Sequence, residues 1–379
     1  MSASVDKCGR FMKMRSLRLF HGSWGRMVWT GMVVICLIFL MIVCLKHYNW
    51  TQSQHLTSHM GFRTIFNTSV LKRVWKASKD PDSFPVPVST HPSESAKFDD
   101  EIWRPKENMP IIHKDAKILI NPIKLCSPIN SQDVFLLVLI LSSTDHVKQR
   151  DNIRQTYGSV TSYKSRPIRH VFLLAEPKDE NQQSRIKAES ILHGDIVQFD
   201  FMDTYRNLSM KSSSGLAWAK RFCPRAKFIL KTDDDYMVLP GRMVDYFDHI
   251  SSEEERVLYS GYVVNTSPPI RAKSSKYYAS WIEYPYRHYP PYVTGAGIMM
   301  SNNVLNLFRD ASRKVPRTPS EDVYLGLLAK MSNITPKENF ERIKPDIPNK
   351  PSNLPEKVLV FKAPLFEITK KIWSKYKSA

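Results

Sequence analysis

Three consecutive carboxylates, Asp233, Asp234 and Asp235, end the apolar run Phe228–Leu230 within Lys227–Pro240, KFILKTDDDYMVLP. A run of that kind reads as a buried strand stopping at a charged edge. Adjacent carboxylates repel one another and resist desolvation, so a fold tolerates them best where a cation balances them. In an α/β sheet, ligands sit at the carboxyl ends of strands. Two readings fit these residues. One is an Asp-x-Asp site holding Mn²⁺ or Mg²⁺, hard ions suited to oxygen ligands, against a nucleotide diphosphate. The other is an acidic surface turn.

Three further clusters carry chemical potential. Arg150 and Arg154 are four residues apart in RDNIRQTYG. On a helix they share one face, able to offer guanidinium groups to a diphosphate or simply to line a solvated basic surface. Tyr289–Gly297 (YPPYVTGAG) combines glycines that permit close backbone approach with Tyr292, which together with Trp281 offers a ring for stacking on a sugar. The same letters also describe a Pro/Gly loop with core aromatics. Glu321 and Asp322 open an apolar helical stretch. They are either ordinary charges favoured at a helix N-terminus or, for Asp322, a general base that deprotonates a hydroxyl. The sequence has no Walker-type loop, no H-E-x-x-H and no G-x-S-x-G.

The elements that must hold these groups alternate at short intervals. Strands are expected at 134–141, 170–175, 195–199, 227–232 and 257–264, and helices around Arg150–Thr156 and at 184–192, 209–222 and 242–250. This pattern predicts an α/β sandwich with a largely parallel sheet. The 379 residues, 42% of them hydrophobic and eight of them Trp, suffice for a large core.

Met27–Leu45 is free of charge and just long enough to span a bilayer, with Lys7, Arg10, Lys13, Arg15, Arg18 and Arg26 ahead of it. The positive-inside rule then predicts a cytosolic tail (1–26), an uncleaved signal anchor (27–45) and everything beyond on the lumenal side. Residues 46–122, with scattered Pro, Ser and Thr, read as a stem. Residues 123–379 form the compact part. Sequons at Asn67, Asn207, Asn265 and Asn333 agree with that topology, whereas Asn49 lies too near the membrane. Cys126 and Cys223 are the two lumenal cysteines, and a disulfide between them is expected in an oxidising compartment. The net charge of +19 suggests acidic partners, but no dense basic block with interleaved aromatics supports nucleic-acid binding.

Arg150–Gly158, Asp200–Lys211, Lys231–Asp235, Tyr289–Gly297 and Glu321–Gly326 occur in the order found in β-1,3-glycosyltransferases. From about Ile123 to Trp373 the chain resembles the family of β-1,3-galactosyltransferases and β-1,3-N-acetylglucosaminyltransferases. The resemblance implies a GT-A fold (a Rossmann-like α/β/α sandwich behind a transmembrane helix), a UDP-sugar donor, a glycan acceptor, inversion at the anomeric carbon and a Golgi membrane location. By position it makes Asp235 the chief Mn²⁺ ligand, with Asp233 at the metal and donor, and Asp322 the base. Arg150, Arg154, Lys211 and Asp234 fall on the donor side, and Glu283 and Tyr292 on the acceptor side.

Two departures stand out. Val293 and Leu328 occupy positions where the family carries a pair of cysteines. Lys362 stands where members carry a C-terminal His that completes the metal site. A lysine there would supply part of the metal's charge or weaken metal dependence. The sequence therefore supports a UDP-sugar-dependent β-1,3-hexosyltransferase. The alternative is a catalytically silent lumenal relative acting as a carbohydrate-binding or chaperone-like subunit.

Overall fold

The computed structural model describes residues 116–127, 133–348, 353–363 and 366–377. The expected cytosolic tail, anchor and most of the stem, with Asn67, lie outside the described residues, and no helix among those described is long and apolar enough to cross a membrane.

The strands in chain order are β1 (Ile118–Ile120), β2 (Leu136–Leu141), β3 (Ser162–Tyr163), β4 (Arg166–Glu176), β5 (Ile196–Met202), β6 (Phe228–Asp233), β7 (Tyr236–Val238), β8 (Tyr259–Gly261), β9 (Val263–Val264), β10 (Tyr292–Val293), β11 (Ile298–Ser301), β12 (Lys337–Glu338), β13 (Ile343–Lys344) and β14 (Val360–Lys362). The helices are α1 (Val147–Gln155), α2 (Glu180–His193), α3 (Leu208–Phe222), α4 (Pro240–Asp248), α5 (Ser252–Arg256), α6 (Asn302–Ser312), α7 (Glu321–Met331) and α8 (Phe366–Tyr376).

The main sheet runs β1-β5-β4-β2-β6-β11-β8-β12. Its centre, β5-β4-β2-β6, is parallel as expected. Its flanks are not: β1 runs against β5, and β11 runs against both β6 and β8. The sheet is therefore mixed, because strands of three or four residues carry too little periodicity to reveal their direction in sequence. β1 also lies within the expected stem, and Trp218 Nε1 donates to Asn121 Oδ1 at 2.9 Å, so the folded part begins before Ile123.

β2 (LLVLIL) is buried on both faces, which explains its unbroken apolar sequence. Leu137, Leu139 and Leu141 join a core with Leu216 and Trp218 of α3, Phe308 of α6 and Leu325 of α7. Leu136, Val138 and Ile140 join the opposite core, with Ile153 of α1, Ile186 of α2, Phe247 of α4 and Ile372 of α8. Each fully buried side chain of this size contributes about 1.5–3 kcal/mol. α2 shows why a helix starts and stops where it does. The Asp179 side chain accepts from Asn181 N–H at 3.0 Å at its start, and Gly194 takes the left-handed conformation (φ 63°) at its end. Cys126 and Cys223 are disulfide-bonded, with Cα atoms 5.3 Å apart, tying the segment after β1 to the end of α3. A three-stranded sheet, β13-β14-β7, brings the C-terminal strand back beside the residues that follow β6.

Candidate active site

β2 lies between β4 and β6, and the chain leaves β2 toward β4 on one side while β6 lies on the other. This is a topological switch point, where the carboxyl ends of neighbouring strands open a crevice. Leu141 pairs in register with Asp233, so the ends of β2 and β6 stand at the same level. The acidic run is thus delivered to the crevice by the strand register, while a cleft lined by Phe135, Arg166, Lys227 and Asn302 lies at the other ends of these strands.

The three aspartates do not share one partner. Asp233 Oδ1 lies 3.4 Å from Lys231 Nζ. Asp234 Oδ2 lies 2.8 Å from Nδ1 of His146, just ahead of α1. Asp235 is ion-paired with Lys362 of β14. Desolvation raises the Asp233 carboxyl to about 6, with Glu321, Asp235 and Asp234 pushing the same way against the pull of Lys231. Its side chain keeps 41% exposure, so the cause is a crowded cleft wall and not a sealed core. The hydrogen bond to Asp234 holds the His146 imidazole above its ordinary value, while burial opposes.

α7 supplies the second half of the site. Glu321 is ion-paired with the fully buried Lys231, and its Oε2 accepts from Ser212 Oγ at 2.7 Å. Asp322 is less committed. Its Oδ1 accepts from Ser320 Oγ and from Val323 N–H, both at 2.8 Å, and no described residue donates to its Oδ2. Burial holds its carboxyl above the usual carboxylate range. Ser320, Val323 N–H and Lys231 oppose that, and Asp233 reinforces it. Two glycines allow the close fit. A Cβ on Gly295 would stand 2.7 Å from Glu321 Oε1, 3.4 Å from Lys231 Nζ and 3.6 Å from Asp233 Oδ2, so the Gly295 backbone touches both halves of the site. A Cβ on Gly326 would meet Tyr292 Cβ at 2.4 Å, so α7 packs directly on β10.

The other residues expected on the donor side divide differently. Arg150 is fully buried. Its Nε and Nη2 donate to Glu189 at 2.8 Å each, and its Nη1 donates to Ser142 Oγ and Ser143 O. Arg154 is held by Asp195, Asp151 and Glu189 and lies over the Phe172 ring. Arg150 braces the loop after β2, and Arg154 ties α1 to α2 and to the turn before β5, so the contacts of both guanidinium groups are with groups of the chain itself. The four-residue spacing did put them on one helix face, but the acidic partners on α2 and ahead of β5 turn that face inward. Lys211 donates to Asp203 at 2.7 Å and to Ser142 O at 2.8 Å, behind the aspartate edge. Burial lowers its pKa, and Asp203 opposes the shift.

On the acceptor side, Glu283 pairs with Arg206 and accepts from Ser280 N–H and Oγ at 2.8 and 2.9 Å. Burial would raise its carboxyl, but these contacts hold it below the usual range. Tyr292 shares a 3.2 Å hydrogen bond with Ser267 and stands edge-on to Tyr289. Trp281 is exposed, with the Arg271 guanidinium 3.9 Å from its ring centroid. Tyr205 and Tyr277 pack edge to face, and Asp322 raises the Tyr205 pKa after burial and Tyr277. The sequence reading missed Lys231, His146 and the structural commitment of Glu321. A lysine inside an apolar strand, two residues ahead of a carboxylate, was the available signal.

The expected Mn²⁺ ligands, Asp235 and Asp233, each lie against a lysine, Lys362 and Lys231 respectively. Among the described residues, no group of three or more His, Cys, Asp or Glu side chains is placed to hold a metal ion. Hard ions such as Mg²⁺ take one or two carboxylates and complete their shell with water and phosphate oxygens, and here each neighbouring carboxylate faces a different cation of the chain.

The crevice thus sets the Asp322 carboxylate at the head of α7 against the aspartate edge of β6 and its paired lysines. The family model described as Galactosyltransferase matches residues 148–339, and the chain belongs to that family of glycosyltransferases. Human "Beta-1,3-galactosyltransferase 5" is 34% identical over 231 residues, covering 60% of this chain and 72% of that protein. Human "Acetylgalactosaminyl-O-glycosyl-glycoprotein beta-1,3-N-acetylglucosaminyltransferase" is 35% identical over 218 residues, covering 56% of each. Mouse "UDP-GalNAc:beta-1,3-N-acetylgalactosaminyltransferase 1" is 33% identical over 224 residues, covering 58% of this chain and 66% of that protein. Among solved structures, a glycosyltransferase involved in the glycosylation of the major capsid of PBCV-1 aligns at 11% identity. It covers 63% of this chain and 98% of its own length, with a TM-score of 0.37.

Proposed function

We propose that the chain is an inverting β-1,3-glycosyltransferase of GT-A type that moves a hexose, galactose or an N-acetylhexosamine, from a UDP-sugar to a glycan hydroxyl on glycoprotein or glycolipid. The observation that carries this reading is Asp322, a carboxylate with one oxygen unbonded among the described residues, at the head of α7 next to Glu321 and within electrostatic reach of Asp233. In this reading Asp322 accepts the proton of the acceptor hydroxyl as that oxygen attacks the anomeric carbon. The bond from carbon to the UDP oxygen breaks on the opposite face, UDP departs as an anion, and configuration inverts. A carboxyl pushed upward by burial suits a base that must take a proton near neutral pH. Tyr205, Tyr277 and the Arg206–Glu283 pair form a wall of aromatic and polar groups for the acceptor sugar. Met27–Leu45 would anchor the chain as a type II Golgi membrane protein with this site in the lumen, in keeping with Asn265 and Asn333 being exposed. A catalytically silent binding subunit is the less economical reading, since it leaves the half-committed Asp322 carboxylate without a task.

The test is release of UDP from UDP-galactose, UDP-N-acetylglucosamine and UDP-N-acetylgalactosamine by the full-length chain in detergent, with a glycan mixture as acceptor. Asp322→Asn should cut kcat by roughly 10²–10⁴-fold while leaving UDP binding unchanged. Turnover that persists undiminished in Asp322→Asn removes the assigned base. Binding without any turnover favours the silent subunit.

A further inference from the structure

The strand pairing of β14 points to a lysine taking the place of a metal ion. β14 runs antiparallel to β7 with Lys362 opposite Tyr236, and Ala363 N–H donates to Asp235 O at 2.8 Å. These backbone bonds fix the Lys362 side chain over the edge of the aspartate run. Its ammonium pairs with the Asp235 carboxylate and lies 4.8 Å from the centroid of the Tyr236 ring. Both members of the pair remain reachable from the crevice, at 35% and 49% exposure. The other lysines of the site are sealed: Lys231 against Glu321 and Lys211 against Asp203. Arg150 is likewise consumed by Glu189.

We propose that Lys362 is the donor-diphosphate-binding cation of this chain, replacing a divalent ion. The inference rests on the nucleotide-sugar reading above and deepens it. An ammonium has three N–H donors. Asp235 occupies one and orients the group, which leaves two for phosphate oxygens. A divalent cation at Asp235 would stand beside that ammonium, where like charges repel. The chemistry asked of Lys362 is binding and charge stabilisation of the departing UDP oxygen, with no proton transferred and no metal involved.

Calorimetric titration of UDP into the full-length chain in detergent tests this, in EDTA and in millimolar Mn²⁺. The wild-type chain should bind UDP equally in both. Lys362→Ala should weaken binding in EDTA by roughly 10–100-fold, the loss expected for a charge-assisted hydrogen bond, and Lys362→Arg should retain it within a few-fold. Lys362→His, which removes the fixed charge and adds a ligand, should make UDP binding sensitive to EDTA. Wild-type binding that falls tenfold or more in EDTA overturns the proposal, as does Lys362→Ala binding UDP as tightly as wild type. Absence of UDP binding in every condition removes the nucleotide-sugar reading itself, a result distinct from either of those.

Discussion

The buried pair between Lys231 and Glu321 gives the sharpest stability prediction. Lys231 is fully buried in the central strand β6, and Glu321 is 8% exposed at the start of α7, so the pair bolts the sheet to the helix that carries Asp322. Removing one member of a buried pair leaves an uncompensated charge, at a cost of about 3–5 kcal/mol. For Glu321→Gln the low end applies, because Asp233 Oδ1 lies 3.4 Å from the same ammonium and takes up part of its charge. Glu321→Gln should therefore cost about 3 kcal/mol, and Lys231→Met about as much, since it strands Glu321 with Ser212 as its remaining partner. The double variant Lys231→Met/Glu321→Gln removes both charges, so its cost should fall short of the sum by about 2 kcal/mol, a coupling expected of residues in contact. Urea unfolding of the full-length chain in mild detergent, read by tryptophan fluorescence, supplies the four free energies of the cycle. At about 2–4 °C per kcal/mol, each single variant should also melt roughly 6–12 °C lower. Additivity of the two singles to within about 0.5 kcal/mol would refute the reasoning, because independent sites behave that way.

Two further outcomes follow from the geometry. Cys126→Ser/Cys223→Ser opens a bond between positions 97 residues apart and should cost about 2–5 kcal/mol, measured by the same urea titration with and without reductant. Wild-type stability indifferent to reductant would contradict it. Gly295→Ala places a methyl 2.7 Å from Glu321 Oε1, against the Lys231–Glu321 pair, and should cut UDP release at least tenfold while also lowering the melting temperature by a few degrees. Unchanged turnover would show that the loop has room to move.

Legibility varied with the range of the interaction. The β2 run, the helix behind Ser209–Phe222 and the strand ending in Asp233–Asp235 were readable because burial on both faces and amphipathic periodicity are local properties of the chain. Strand direction at β11 was not, since four residues bonded on both sides look alike whichever way they run. Arg150 and Arg154 illustrate the opposite failure. Their spacing correctly placed them together, but Glu189, 39 positions from Arg150 in sequence, decided that they face inward.

The sequence by itself determined the alternation of strands and helices, the acidic stop of β6 and the presence of a carboxylate at the head of α7. Those features depend on residues within a few positions of one another. The tertiary structure alone decided which cation meets which carboxylate: Lys231 with Glu321 across 90 positions, and Lys362 with Asp235 across 127. Electrostatic pairing depends on distance in space, and only the return of β14 alongside β7 and the packing of α7 on β10 set those distances.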